Sequence, residues 1–140
     1  MRTAPVIDHR AALAALDAVK ARGKTAAIAI VDAHGELLAF VRLDGVQLSS
    51  GPLSINKAYT AARLNRPSRV LGETVRAKGT DVAFYGDPRY AGFGGGMPVR
   101  IDGVVAGGVG VSGLSDEEDE ALAALGAALL QGDPPGTANA

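Results

Sequence analysis

Lys57 is the residue in this sequence best suited to acid–base chemistry, because it stands between Ile55 and Ala58 in an apolar helical pattern. A lysine with a partly buried stem can transfer a proton or hold an anion. Asp32 and Asp44 are the carboxylates expected to orient it. The catalytic hypothesis is Lys57 with Asp32, acting on a small carboxylate or carbonyl compound, and the alternative is a structural ion pair.

The aromatic residues are concentrated in one stretch of the chain. Four of the six fall within positions 84–93, where no helical or strand periodicity is visible. Clustered in one long loop, they predict a wall of a pocket for a flat apolar ligand. The alternative is a small core that fixes the loop. The four are Phe84, Tyr85, Tyr90 and Phe93.

A glycine run, Gly94, Gly95 and Gly96, directly precedes Met97 and Pro98. Such a run can point backbone N–H groups at an anion. Because it leads into a strand and not into a helix, it is neither a dinucleotide fingerprint nor a P-loop. The alternative is a turn or a bulge.

Three further glycines, Gly107, Gly108 and Gly110, lie inside the following strand. Glycine weakens a strand, so their presence predicts that a helix, a neighbouring subunit or a ligand approaches the backbone closely. Packing is the favoured explanation.

Composition excludes several classes of function. The chain has no cysteine, which removes disulfides, thiolate metal sites and cysteine nucleophiles. His9 and His34 have no partner at metal-ligand spacing, and no metal site is predicted. A net charge of −1 argues against nucleic-acid binding. Without a signal core or a long apolar run, we expect a cytoplasmic protein that does not bind membranes.

The elements that must position these residues follow from periodicity and from turn signals. Asp102-Gly103 predicts a tight hairpin turn, and Ser115 with Glu118 predicts a capping box at the start of the last helix. The predicted order is helix, hairpin, two helices, hairpin, helix. The ranges are helices 9–22, 53–65, 68–78 and 116–131 and strands 25–31, 36–42, 97–101 and 104–111, with loops over 43–52 and 79–96.

These elements predict an α/β chain of the α+β type: one antiparallel sheet made from two hairpins, flanked by helices on both faces. The two inner strands are nearly continuous apolar runs, as expected for strands covered on both sides. The length predicts a single domain over residues 1–131, followed by a flexible tail over residues 132–140.

The motifs resemble those of the GlcG/HbpS family, also called the haem-degrading or PduO C-terminal-like family, across residues 6–131. Five segments carry the resemblance in the same order. They are IVDAHGELLAF at 30–40, RLDG at 42–45, KAYTA at 57–61, GGGMPV at 94–99 and GGVGVSG at 107–113.

This resemblance implies a profilin-like fold and assembly into homo-oligomers, frequently octamers. It also implies haem or corrinoid-type tetrapyrroles as ligands of some members, while others have no clear activity. The family pattern carries over onto Asp32, Arg42, Asp44, Lys57, Thr60, Gly94, Gly95, Gly96, Pro98, Gly107, Ser112, Gly113 and Asp116, which we expect around a groove near the second hairpin. The resemblance assigns no histidine here as the haem ligand, and His9 lies in the first helix, where a PduO-like ligand is expected.

Three functions remain open. The first is binding of haem or another flat anionic ligand, with the aromatic loop stacking on it and Arg42, Lys57 or Arg89 pairing with its carboxylates. The second is the Lys57 enzyme described above. The third is an oligomeric accessory protein without a cofactor, in which subunit packing buries the glycine strand.

Overall fold

Two hairpins form the central sheet of the computed structural model, which describes residues 5–132. Within that range the chain has four α-helices, one short 3-10 helix and four antiparallel strands in the order β2-β1-β4-β3. The elements are α1 His9–Lys20, β1 Ala27–Asp32, β2 Leu37–Arg42, α2 Ser50–Leu64, α3 Ser68–Lys78, the 3-10 helix Val82–Tyr85, β3 Gly96–Ile101, β4 Val104–Ser112 and α4 Asp116–Leu130.

The predicted α+β architecture is confirmed, and most boundaries agree within two residues. The largest difference is at α2, which begins at Ser50 and not at residue 53. Pro52 suggested a loop, but it lies in the first helical turn, where a proline's missing N–H breaks no helical hydrogen bond. The predicted tail lies outside the described residues, apart from Gly132.

Both predicted signals at the second hairpin and the last helix are confirmed. Asp102 and Gly103 have φ values of 53° and 76°, the pair of positive values that a type I′ turn requires. Ser115 and Glu118 form a complete capping box at the start of α4. These local signals fix where β3 ends, where β4 begins and where α4 starts.

The two central strands, β1 and β4, are covered on both faces. Ile28 and Ile30 pack with α1 and α4, whereas Ala29 and Val31 pack with Ala58 of α2 on the opposite face. This alternation places α2 against one side of the sheet, and Ser68 of α3 joins it beside Gly96 of β3. Most of any site on that side is therefore carried by α2.

Helix α2 lies very close to β4, and glycines make this approach feasible. A Cβ on Gly110 would overlap the carbonyl oxygen of Ser54, and one on Gly108 would overlap that of Ala58. The packing explanation for these two glycines is thereby confirmed, with a helix as the neighbour. Among the helices within residues 5–132, none combines the length and apolarity needed to cross a membrane.

Candidate ligand site

Lys57 lies in the interior at a place we call the glycine corner, formed by Lys57, Ser68, Asp119 and the run Gly94–Gly96. The Lys57 ammonium donates to the Val111 carbonyl at 3.0 Å and pairs with Asp119 at 3.2 Å. Both charged side chains are only 2% exposed. Burial raises the pKa of the Asp119 carboxyl, although the charge and hydrogen bond of Lys57 oppose the shift.

Neither Asp32 nor Asp44 orients this lysine. Asp32 accepts hydrogen bonds from the N–H groups of His34 and Glu36 in the first hairpin turn. It lies opposite Gly107, four residues along β4 from Val111, which is about 13 Å away at strand spacing. Asp44 is exposed in the loop after β2. The catalytic role of Lys57 and Asp32 therefore stays a prediction, and their geometry does not pair them.

The glycine run is engaged by the protein's own groups. The N–H of Gly94 donates to Asp116 at 3.1 Å, that of Gly96 donates to Ser68 at 2.8 Å, and the carbonyl of Gly95 accepts from Val111. Gly95 has a φ of 128°, and a Cβ there would lie 2.8 Å from the Lys57 ammonium. These bonds use up the N–H groups of Gly94 and Gly96 that could otherwise hold an anion.

Thr60, Met97 and Pro98 are also part of the framework. The Thr60 hydroxyl donates to the Asn56 carbonyl and accepts from the N–H of Ala91, each at 2.8 Å, so it ties the long loop to α2. Met97 is half-buried against the main core, and Pro98 is buried in β3.

Two of the loop aromatics belong to a tyrosine cluster, which consists of Tyr59, Tyr85, Tyr90, Arg63, Asp87 and Arg89. The Tyr90 ring lies 5.4 Å from that of Tyr59 and 5.7 Å from that of Tyr85. The guanidinium of Arg89 lies 4.2 Å from the Tyr59 ring centroid. Tyr85, 39% exposed, and the half-buried Tyr90 thus pack against one another at the surface, in an arrangement that can fix the loop.

Asp87 anchors this cluster. Its carboxylate accepts two side-chain hydrogen bonds from Arg89, both at 3.1 Å, and one from the Tyr59 hydroxyl. The Arg89 bonds, and then the Tyr59 bond, hold the pKa of Asp87 far below its ordinary value. Burial, and then the hydrogen bond to Asp87, raise the pKa of Tyr59.

The other two loop aromatics, Phe84 and Phe93, are 80% and 60% exposed. Phe93 lines the Phe93 groove, about 370 Å³ in volume. Arg69 in this groove is paired with Glu73 at 3.2 Å and with Glu120 at 3.0 Å. Its lining has four carboxylates against two arginines, which disfavours an anionic ligand. The lining residues are Arg69, Glu73, Arg76, Gly92, Phe93, Gly94, Asp116, Glu117 and Glu120.

A second concavity, the Phe40 groove, lies where the outer strand β2 meets the first turn of α2. Its volume is about 460 Å³, within the range of small-molecule sites. Arg42 is its one charged residue, and within residues 5–132 no hydrogen bond or ion pair engages that guanidinium. The groove is lined by Phe40, Arg42, Leu48, Gly51, Pro52 and Ile55.

The Phe40 groove has apolar walls that stay open to solvent. Phe40 is 38% exposed and Leu48 is 73% exposed. Gly51 lets β2 side chains approach α2, since its Cβ position lies 3.5 Å from Phe40 and 3.9 Å from Arg42. The positive end of the α2 dipole adds to the field of Arg42. This groove can take a flat apolar body with an anionic end.

The structure therefore does not bring the predicted site residues into one groove. Arg42 lies in the Phe40 groove, Phe93 and Gly94 line the Phe93 groove, and Lys57 lines neither. Sequence reasoning missed the walls around Arg42. One signal was available, because Phe40 and Arg42 are two residues apart on a strand and so share a face.

The partner of Lys57 was also missed. Asp119 lies 62 positions further along the chain, which hides the pair in the sequence. It has the spacing of an inward-facing residue, however, since Ala123, Gly126 and Ala127 follow at intervals of four, seven and eight and are all buried.

Comparison with known proteins identifies the family. The model of the haem-degrading HbpS-like family matches residues 8–128, and the chain belongs to this family. Protein GlcG of Escherichia coli K12 is 39% identical over 85 residues, covering 61% of this chain and 62% of GlcG. Corrinoid adenosyltransferase PduO of Salmonella typhimurium is 30% identical over 127 residues, covering 87% of this chain but only 37% of PduO.

Comparison with solved structures identifies the same family by its fold. A double mutant of Streptomyces reticuli HbpS superimposes with a TM-score of 0.79 and 30% identity, covering 93% of this chain and 90% of that one. A PduOC:heme complex superimposes with a TM-score of 0.75 and 27% identity, covering 89% and 95%. The fold is thus shared with HbpS and with the PduO C-terminal region.

Proposed function

We propose that this protein binds haem or a related flat tetrapyrrole that carries carboxylates, and that the Phe40 groove is the binding site. The observation that carries the proposal is the combination of solvent-open apolar walls with Arg42, a cation that no described side chain neutralises. Membership of the HbpS-like family and the similarity to a PduOC:heme complex support the choice of ligand.

The physical argument rests on two contributions. A flat ring that covers Phe40 and Leu48 removes apolar surface from water, which stabilises a complex by about 25 cal/mol per Å². A carboxylate held by Arg42 forms a charge-assisted hydrogen bond, worth about 1.5–3 kcal/mol when shielded from water. The Phe93 groove lacks the second contribution, because carboxylates outnumber arginines in its lining.

The groove fits a tetrapyrrole only in part. Proteins hold haem through apolar walls, through cations near the propionates and through an axial His, Met, Tyr or Cys. Phe40, Leu48, Ile55 and Arg42 meet the first two requirements. None of the six lining residues provides an axial ligand. The residues therefore fit the ring and its carboxylates and do not fit the iron.

The test is a titration of the purified chain with haem, followed by the change in haem absorption. We expect saturable binding that Arg42→Ala weakens about tenfold, since one lost charge-assisted bond is worth about 1.4 kcal/mol or more. Phe40→Ala and Leu48→Ser should weaken it as well. Absence of a saturable change with the wild-type chain would overturn the proposal.

Two matched controls separate this groove from nonspecific adsorption of haem. Arg10→Ala removes an exposed arginine on α1, and Phe93→Ala removes the aromatic of the acidic groove. Both should leave the dissociation constant within about twofold of wild type. If Phe93→Ala weakens binding and Phe40→Ala does not, the ligand lies in the other groove and the assignment is wrong.

The β2 edge favours a second candidate, an oligomer in which a second copy covers it. Within residues 5–132 strand β2 has no neighbouring strand on its outer side, and Leu37 at its first position is 47% exposed. Exposed apolar edge strands tend to pair with other chains. Sedimentation analysis should then show that Leu37→Lys reduces the oligomer. An unchanged distribution would remove this edge as the contact.

A further inference from the structure

In the described part of the chain, none of the side chains able to bind iron lines the Phe40 groove. Within residues 5–132, the conventional axial candidates are two histidines, one methionine and three tyrosines. They are His9, His34, Tyr59, Tyr85, Tyr90 and Met97. Their positions decide whether a tetrapyrrole in this groove is recognised through its metal or through its ring.

Four of the six are at the far end of strand β2. His34 lies in the turn before β2, and its carbonyl accepts from Arg63 of the tyrosine cluster. A Cβ on Gly35, the next residue, would lie against the Tyr59 ring. Arg42 ends the strand on the opposite side. Six residues of strand separate the two ends, a distance of about 17–20 Å. Tyr59 follows the groove residue Ile55 by one turn of α2, but it is 2% exposed and its hydroxyl donates to Asp87.

The other two candidates are separated from the groove by the sheet. Met97 lies in β3, at the opposite edge of the sheet from β2, and packs into the main core. His9 begins α1, which covers the face opposite to α2. The groove lies on the α2 side, where Gly51 of that helix lines it together with Phe40 and Arg42. Neither side chain reaches it.

We propose that the Phe40 groove recognises the ring and a carboxylate of its ligand and makes no bond from a side chain to the metal. This inference rests on the proposed function and narrows its ligand class to flat, carboxylate-bearing macrocycles with or without iron. The apolar walls contact the ring face, and Arg42 pairs with the carboxylate. Affinity then depends on ring and charge, and the iron contributes nothing to it.

The experiment compares haem with metal-free protoporphyrin IX on the full chain, using absorption for the first and fluorescence for the second. We expect dissociation constants within about threefold of each other. Arg42→Ala should raise both by the same factor, about tenfold. Arg42→Lys should recover part of the loss for both, because it keeps the charge and removes the planar fork.

A second set of variants tests the iron directly. His9→Ala, His34→Ala and Met97→Leu should leave the absorption spectrum of the haem complex unchanged, because none of these side chains lies in the groove. Tyr59, Tyr85 and Tyr90 are tested in the same way by substitution with Phe.

The outcomes distinguish the two proposals. If haem binds more than tenfold tighter than the metal-free ring, or if one of these substitutions shifts the haem spectrum, the iron is a recognition element. This inference is then overturned while haem binding stands. If neither ring binds, the proposed function itself fails.

Discussion

The same helix, α2, serves both the glycine corner, through Lys57, and the Phe40 groove, through Gly51 and Ile55, and the two regions use their charged residues in opposite ways. In the corner, Lys57 is 2% exposed and donates to both Asp119 and the Val111 carbonyl. In the groove, Arg42 is exposed and no side chain within residues 5–132 neutralises it. The difference indicates that the corner holds the fold together and that the groove is open to a ligand.

The contrast also shows that a region rich in sequence motifs is not for that reason free to bind a ligand. The corner contains the glycine run and the lysine that looked most like a site in the sequence. Its donors are used internally, by Asp116, Ser68 and Asp119. Buried polar groups need partners, so a region rich in them is often a structural network. The groove has only one charged residue, and that charge has no described partner.

The largest expected loss of stability comes from breaking the contact between α2 and β4. Gly110→Ala places a methyl group on the Ser54 carbonyl, and because the methyl is fixed to the β4 backbone and the carbonyl belongs to the α2 backbone, neither can move away independently. We expect a loss of about 4 kcal/mol or more in the free energy of unfolding. Urea denaturation, or the yield of folded protein, measures it.

The matched control for that substitution is Gly51→Ala, at the start of the same helix. Its methyl group would lie 3.5 Å from Phe40, an ordinary contact. Stability should be unchanged or should rise by up to about 1 kcal/mol, because alanine favours a helix over glycine. If Gly110→Ala and Gly51→Ala lowered the free energy of unfolding equally, the contact of α2 with β4 at Gly110 would not be more closely packed than the contact at Gly51.

The second largest loss of stability comes from removing Lys57, the cation of the glycine corner. Lys57→Met leaves Asp119 buried without its partner, which should cost about 3–5 kcal/mol in unfolding free energy. The loss of Lys57 also raises the pKa of Asp119 further above its unfolded value. Stability of the variant should therefore increase as the pH falls through the raised folded pKa of Asp119 towards the unfolded value near 3.8.

The control for Lys57→Met is Lys20→Met. Lys20 pairs with Asp17 on the surface, with side chains 48% and 70% exposed, and such pairs contribute about 0–1 kcal/mol.

Haem affinity of Lys57→Met compared with that of Arg42→Ala decides between the two regions as the binding site. If folded Lys57→Met loses haem binding while Arg42→Ala retains it, the site lies at the corner and the contrast is reversed.

The smallest expected effect on stability is a change in its pH dependence, caused by substitutions in the tyrosine cluster. The folded-state pKa of Asp87 is depressed, so its contribution to stability is present above the unfolded value near 3.8. It is lost as the pH falls through the folded pKa. Asp87→Asn removes that contribution, so stability should fall less steeply below pH 4. Urea denaturation at a series of pH values measures the slope.

Tyr59→Phe sharpens this prediction. It removes one of the hydrogen bonds that hold down the pKa of Asp87 and leaves the Arg89 bonds in place. The acid loss should then be smaller than in the wild-type chain and should be complete at a higher pH, because the folded pKa of Asp87 lies closer to its unfolded value. Haem affinity at neutral pH should not change in either variant, since the cluster lies at the far end of β2 from the groove. A parallel loss of affinity would place the aromatic loop in the site.

The sequence by itself determined most of the architecture, because the relevant signals are local. Asp102-Gly103 specifies a turn through its backbone preferences, Ser115 and Glu118 specify a helix start, and two apolar runs specify buried strands. Each depends on residues a few positions apart. Family motifs spread along the chain added the fold class.

Only the tertiary structure decided which residues are free to bind. Lys57 and Asp119 are 62 positions apart, and nothing local shows that each neutralises the other. Arg42, by contrast, was one of three cations expected to pair with a ligand carboxylate, and only the position of β2 at the sheet edge beside α2 shows that it is free of a partner within residues 5–132. Whether a charged group serves the fold or a ligand depends on its neighbours in space, and those are set by how helices and strands pack.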